Sequence, residues 1–315
     1  MLLVPLRNYW PVDLAMISTN QNQSLKSWLF EAKDYRIHSD ISNNSFDLTT
    51  YNREDFLKPM SCDINRFMRA TIETIVTNST CSISPKSTPW ILIQSYYASF
   101  YAINTILRLL GNSLSYLDRK TCNKIQKIAH VYGHQKGIQL SRGLYKISYN
   151  TNTSVLKGVL LSSSNGGAHE LSWSVFLELI QKIQNELSIN YGTIYSSELA
   201  KIRELELNLT SGGLSNGSWL STIRNQINYQ QMHGVWFPYT NRKFHHRLIN
   251  TLEDWKYDPI NIDLKTSDTN LIIKFSSTCQ FIISWAIAIS NDMKNRIGVN
   301  RSFHKYGVHN TCNQI

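Results

Sequence analysis

Apolar positions recur at helical spacing along most of the chain. Ile64, Phe67, Met68, Thr71, Ile72, Ile75 and Val76 follow i, i+3, i+4, i+7, the pattern of a helix with one buried face. A loop holding Pro85 and Pro89 ends it. Residues 90–111, WILIQSYYASFYAINTILRLLG, are apolar on nearly every side, as expected of a helix at the centre of a fold. Within it Ser95, Ala98, Ser99 and Ala102 form a stripe of small residues that lets a second helix approach closely, and Gly111 is placed to cap the C-terminal end. Further helices are predicted over 118–131, around Trp173, Phe176, Leu179, Ile180, Ile183 and Leu187, and over 196–209, 219–232, 243–255 and 270–296. Two stretches, LYKISYN and SVLKGVLL, alternate as strands do and can pair as one small β-hairpin. Residues 1–60 mix a short amphipathic piece (Leu25, Trp28, Leu29, Ala32) with the polar run HSDISNNSFDLTTYN, and read as irregular. The pattern therefore predicts an all-α fold: an irregular N-terminal extension over 1–60, a helical domain over 61–298 carrying at most one small hairpin, and a polar tail over 299–315.

Composition adjusts this picture in three places. The 315 residues include eight Trp, sixteen Tyr and eleven Phe, which offset a modest apolar fraction of 42% in buried area. Lys plus Arg exceed Asp plus Glu by 32 − 22 = 10, with a pI near 9.3, an excess that favours a polyanion as partner or serves solubility alone. Five cysteines, at 62, 81, 122, 279 and 312, are odd in number, scattered and without a CxxC, which reads as reduced thiols in a cytoplasmic protein. MLLVPLRNYWPVDLAM lacks a basic n-region and is interrupted by Pro5 and Arg7, so it does not read as a signal peptide. The most apolar stretch, 275–289, is shorter than the roughly 20 residues of a bilayer span and reads as a buried helix, with no membrane as partner.

Common cofactor motifs are missing: there is no GxxxxGK[ST], no GxGxxG after a strand and no HExxH. His130 and His134 have a metal-ligand spacing, but Gly133 lies between them and no acidic third ligand is near, so neither a metal nor another cofactor is expected. The positive charge is concentrated. Residues 119–146 hold seven basic residues and no acidic one, and Lys120, Lys124 and Lys127 fall along one helix face. That row is either a solvated surface or a site where a phosphate backbone relieves the repulsion among lysines. A second run combines Trp236, Phe237 and Tyr239 with Arg242, Lys243 and Arg247, residue types that stack on and pair with single-stranded RNA.

The segment 218–234, SWLSTIRNQINYQQMHG, carries the most information. Trp219, Leu220, Ile223 and Ile227 form its apolar face, while Arg224, Asn225, Asn228 and Tyr229 fill the opposite arc. Asn is a poor helix former, and Arg224 has no acidic neighbour on this stretch. A planar cation flanked by amides and a phenol suits RNA. SYYASFYAINTILRLLG followed by RNQINY resembles the HEPN superfamily of helical domains, in organisation over about residues 60–255. Its signature is Arg, a polar residue, three more residues, then His; Arg224 and Asn225 match the first two positions and Tyr229 stands at the His position. The resemblance implies RNA cleavage without a metal by a toxin or anti-phage effector, at a site shared across a homodimer, with an antitoxin or companion defence protein as further partner. It would place Arg224 on the scissile phosphate, Asn225 beside it and Tyr229 at the ribose. A phenol with a reference pKa of about 10 is a poor general base at neutral pH. Tyr229 would then serve as an acid or positioning donor, or His233, one turn further, would supply an imidazole, or the site would bind without cutting. The alternative function is a non-catalytic helical adaptor.

Overall fold

A computed structural model of the chain describes residues 4–11, 13–18, 23–38, 42–81, 87–134, 139–151, 153–162, 167–236, 242–297 and 301–306. After a 3₁₀ turn over Val4–Tyr9 come α1 (Leu25–Glu31), β1 (Tyr35–Ile37), β2 (Ser45–Thr50), α2 (Arg53–Cys81) and α3 (Thr88–Leu109). β3 (Asn112–Leu117), α4 (Arg119–Val131), β4 (Gly143–Asn150) and β5 (Val155–Ser162) follow. The C-terminal half is helical: α5 (Ala168–Tyr191), α6 (Ser196–Leu209), α7 (Trp219–Gln230), α8 (Arg242–Thr251), α9 (Leu271–Asn295) and α10 (Ser302–Tyr306).

The all-α, HEPN-like bundle expected from the periodicity is not what forms. A five-stranded antiparallel sheet in the order β1-β2-β5-β4-β3 stands beside the helices. β4 and β5 pair with each other, but as the middle of this sheet rather than as an isolated hairpin. β1 and β2 come from the N-terminal segment read as irregular. Their signal is weak for a physical reason: in β2 only Phe46 and Leu48 are buried, while Ser45, Asp47 and Thr49 alternate with them, so a six-residue strand offers two apolar positions. β3, NSLSYL, is equally short and follows directly on the end of α3.

The sheet buries one face. Phe46, Leu48, Tyr145, Ile147 and Leu156 point inward, and Trp28 of α1 and Phe56 of α2 close over them; the Phe56 ring centroid is 4.9 Å from that of Tyr149. Fully burying side chains of this size stabilises by about 1.5–3 kcal/mol each.

The helical core is built around α3 and α9. α3 starts behind Ser87 with Pro89 in its first turn and ends before Gly111, whose φ of 75° suits a residue without Cβ. Its small-residue stripe is buried against two helices: the Asn78 side-chain amide of α2 donates to Ser95 Oγ at 2.8 Å, and Ser99 Oγ lies 3.5 Å from Cys279 Sγ of α9. α9 is long and apolar enough to cross a membrane, yet 89% of its most apolar window is covered by protein. Burial pushes the Cys279 thiol up to about 12. Asn270 caps α9 by accepting from the amides of Ile272 and Ile273. The turn Val4–Tyr9 and α10 are tied to the long helices, with Arg7 in a bidentate pair to Asp292 of α9 (2.8 and 2.9 Å) and Ser61 of α2 donating to Ser302 (2.8 Å).

Candidate functional site

α7 packs as its apolar arc demands, with Trp219, Leu220, Ile223 and Ile227 at most 3% exposed. Arg224 is also buried, at 6%. It turns toward α3, where its guanidinium carbon lies 5.0 Å from the ring centroid of Tyr96 and 5.8 Å from that of Tyr97, close enough for cation–π attraction. Among the described residues no carboxylate pairs with Arg224, and its Nε has no hydrogen-bond partner.

The second residue of α5, His169, completes the cluster. Its ring centroid is 4.2 Å from that of Phe100, and its Nδ1 lies 2.9 Å from the Tyr96 hydroxyl. Trp173 Nε1 donates to the same oxygen at 3.1 Å, and Arg224 and Ser221 also adjoin it. Trp173 Nε1 can only donate, so it fills one acceptor position of the Tyr96 oxygen and leaves the hydroxyl and His169 Nδ1 to share the remaining bond. Burial, then the positive charge of Arg224, push His169 down to about 4, so it is neutral at pH 7. Burial raises the Tyr96 phenol, opposed by the donors around its oxygen.

This cluster makes acid stability measurable. Below its ordinary value of 6.5 the unfolded chain protonates His169, whereas the folded chain resists until about 4. Stability is then fully present above 6.5 and is lost as pH falls from 6.5 to 4, by at most about 3 kcal/mol for this group. In urea titrations between pH 7 and 4, His169→Gln is expected to lose less stability than wild type. Parallel curves for the two proteins would show that His169 does not titrate in this way.

The other residues singled out in the sequence lie apart from Arg224. Tyr229 is 72% exposed and, five residues on, stands about 140° around the helix from Arg224. α7 ends at Gln230, and left-handed backbone at Gln231 (φ 52°) and His233 (φ 68°) turns the chain away, so His233 does not extend the same helical face. Its Nε2 is engaged 2.8 Å from Gln226 Oε1, and burial pushes its pKa down. Asn225 is half-buried beside Arg224 in sequence. Lys120, Lys124 and Lys127 are exposed on α4 and pair with no carboxylate among the described residues. Next to them Arg119 and Arg142 line a cleft of about 520 Å³ with Asn123 and Ser141. Arg242 and Lys243 are the first residues of α8; Phe237 and Tyr239 lie outside the described residues. Trp236 donates to the Ile227 carbonyl at 2.9 Å and meets the ring of Trp90, itself 53% exposed.

What sequence reasoning missed is the company Arg224 keeps. Tyr96 and Tyr97 read as core residues of an apolar helix, and His169 sits four residues before Trp173 with no motif around it. A lone imidazole at the first turn of an amphipathic helix was the available signal, since a helix N-terminus disfavours the imidazolium. No family model, no curated protein and no solved structure matches this chain.

Proposed function

We propose that the protein binds RNA, with Arg224 holding a backbone phosphate. The observation that carries this reading is a buried guanidinium without an acidic partner. Taking a cation out of water costs several kcal/mol unless a counter-charge meets it, and among the described residues none does. A phosphodiester supplies that charge in a shape the planar guanidinium matches. Tyr97, Phe100 and Tyr101, half-buried along α3, offer ring faces on which bases can stack. The lysine row of α4 adds longer-range attraction for a polyanion.

The surroundings of His169 favour holding RNA over cutting it. Its Nδ1 is engaged by the Tyr96 hydroxyl at 2.9 Å. Burial with the charge of Arg224 holds the imidazole down to about 4, too weak a base to take a proton from a ribose 2′-hydroxyl at neutral pH.

The test is fluorescence polarisation of a labelled single-stranded RNA with the full chain over a range of salt. Binding is expected to weaken steeply with salt. Replacing Lys120, Lys124 and Lys127 together by alanine should reduce the slope of log K against log salt by about 2, near 0.7 per lost phosphate contact. A folded wild-type protein that binds no RNA at low salt would sink the proposal. Equal affinity for DNA of the same sequence would replace RNA by single-stranded nucleic acid in general.

A further inference from the structure

α5 approaches the outer face of the sheet at β4, where Lys146 pairs with Glu178, and a cleft of about 780 Å³ opens between that face, α5 and the turn Val4–Tyr9. Where a helix covers a sheet, both surfaces are ordinarily apolar so that they pack without a gap. Here the floor is a polar row running across four strands and reaching the residue that follows β1. Asp47 is in register with Lys157, Lys157 with Ser148, and Ser148 with Asn112, while the backbone amide of His38 bonds to the Asp47 carbonyl (2.9 Å). All five of these residues line the cleft.

The walls are built to keep the space open. Lys146 on β4 reaches Glu178 on α5 at 2.8 Å, a strut between floor and roof. Tyr9 donates to Glu186 at 2.6 Å, fixing the N-terminal turn to the same helix. Two further lysines face the cleft. Lys157 on the floor pairs with no carboxylate among the described residues, and Lys182 on α5 makes a long, exposed ion pair with Glu186 at 3.7 Å that a phosphate can displace. Val155 and Leu179 give the cleft an apolar side, and Asn8 and Asn150 add amides at its rim.

The geometry points to a binding site for a nucleoside monophosphate in this cleft, distinct from the Arg224 cluster. Lys157 and Lys182 would hold the phosphate from opposite walls as point charges, as lysines do elsewhere. The hydroxyl and amide groups of Ser148 and Asn112 match a sugar, and the surface of Val155 and Leu179 matches the face of a base. The volume lies within the range of small-molecule sites, roughly 300–1,000 Å³.

Isothermal titration of the full chain with the common nucleoside monophosphates, ribose 5-phosphate and inorganic phosphate tests this. At least one nucleoside monophosphate is expected to bind with Kd below about 100 μM, and Lys157→Ala and Lys182→Ala to weaken it about tenfold each. Both lysines are exposed enough that folding should not depend on them, and Arg224→Met should leave the affinity unchanged. The assignment is overturned if no monophosphate binds below about 1 mM, or if the two lysine variants bind as wild type does. It is also overturned if ribose 5-phosphate or phosphate alone binds as tightly, since the base would then contribute nothing. Loss of binding in Arg224→Met alone would move the site to the Arg224 cluster.

Discussion

Arg224→Met is expected to weaken RNA binding about 30- to 150-fold while leaving the fold as stable as wild type or more so. A hydrogen-bonded charge pair in a buried setting contributes about 2–3 kcal/mol to binding, which sets the first figure. The second follows from the absence of a counter-charge: a buried guanidinium with an orphaned Nε costs the empty protein, and a thioether of similar length removes that cost while keeping the contact with Tyr96 and Tyr97. Arg224→Lys should fail to restore affinity, because an ammonium lacks the planar fork and loses the stacking on both rings. The two readouts together separate a ligand-binding arginine from a structural one. An arginine held for packing would lose stability on substitution and leave RNA affinity untouched, and that result would end the phosphate assignment.

Gly158→Ala should be among the most damaging single-methyl changes available in the sheet, costing about 3 kcal/mol. Gly158 stands opposite Phe46 in the β2–β5 register, and a Cβ built there would lie 2.2 Å from Phe46 Cζ and 2.5 and 2.7 Å from the two Cε atoms. The ring cannot withdraw easily, being 1% exposed and 5.8 Å from Tyr145 centroid to centroid. Overpacking a filled core ordinarily costs 1–3 kcal/mol, and contacts this short place the substitution at the upper end. Urea unfolding measures the loss, and pairing Gly158→Ala with Phe46→Leu should recover at least half of it if the clash is with the ring. A single variant within about 0.5 kcal/mol of wild type would mean the strands shift to make room.

The helices were legible because each carries a face. Residues 196–209 form α6 over the predicted span, and the apolar arc of α7 is the one the helical wheel gives. The sheet was not, because a strand covered on one side needs only every second residue to be apolar, and three of the five strands here are six residues or shorter. The site was half legible. Arg224 stood out through an unpaired charge among poor helix formers, which is a local feature. Its neighbours Tyr96 and His169 come from helices more than fifty residues away in the chain, and nothing in either segment distinguishes a ring that packs from a ring that faces a guanidinium. Tyr229 is paired with Arg224 through the signature spacing, whereas His233 is placed on the face of Tyr229 by continuing the helix one more turn, and the left-handed residues at 231 and 233 break that continuation.

The strand order also governs how the chain can assemble. β2 pairs with β5, joining Ser45 to Val159 across more than a hundred residues, and that register lies beside the centre of the sheet. During synthesis β2 must wait for β5, while α2 and α3, neighbours in sequence with the most extensive helix–helix contact in the molecule, can meet early. The β3–β4–β5 meander closes locally and then presents β5 as an open edge until β1 and β2 arrive. The late step in maturation is thus the return of the N-terminal strands, and the same step finishes the polar floor of the cleft beside α5, since Asp47 lies in β2 and His38 directly follows β1. A nascent chain stalled before that return exposes a strand edge to other chains and has only part of its ligand cleft.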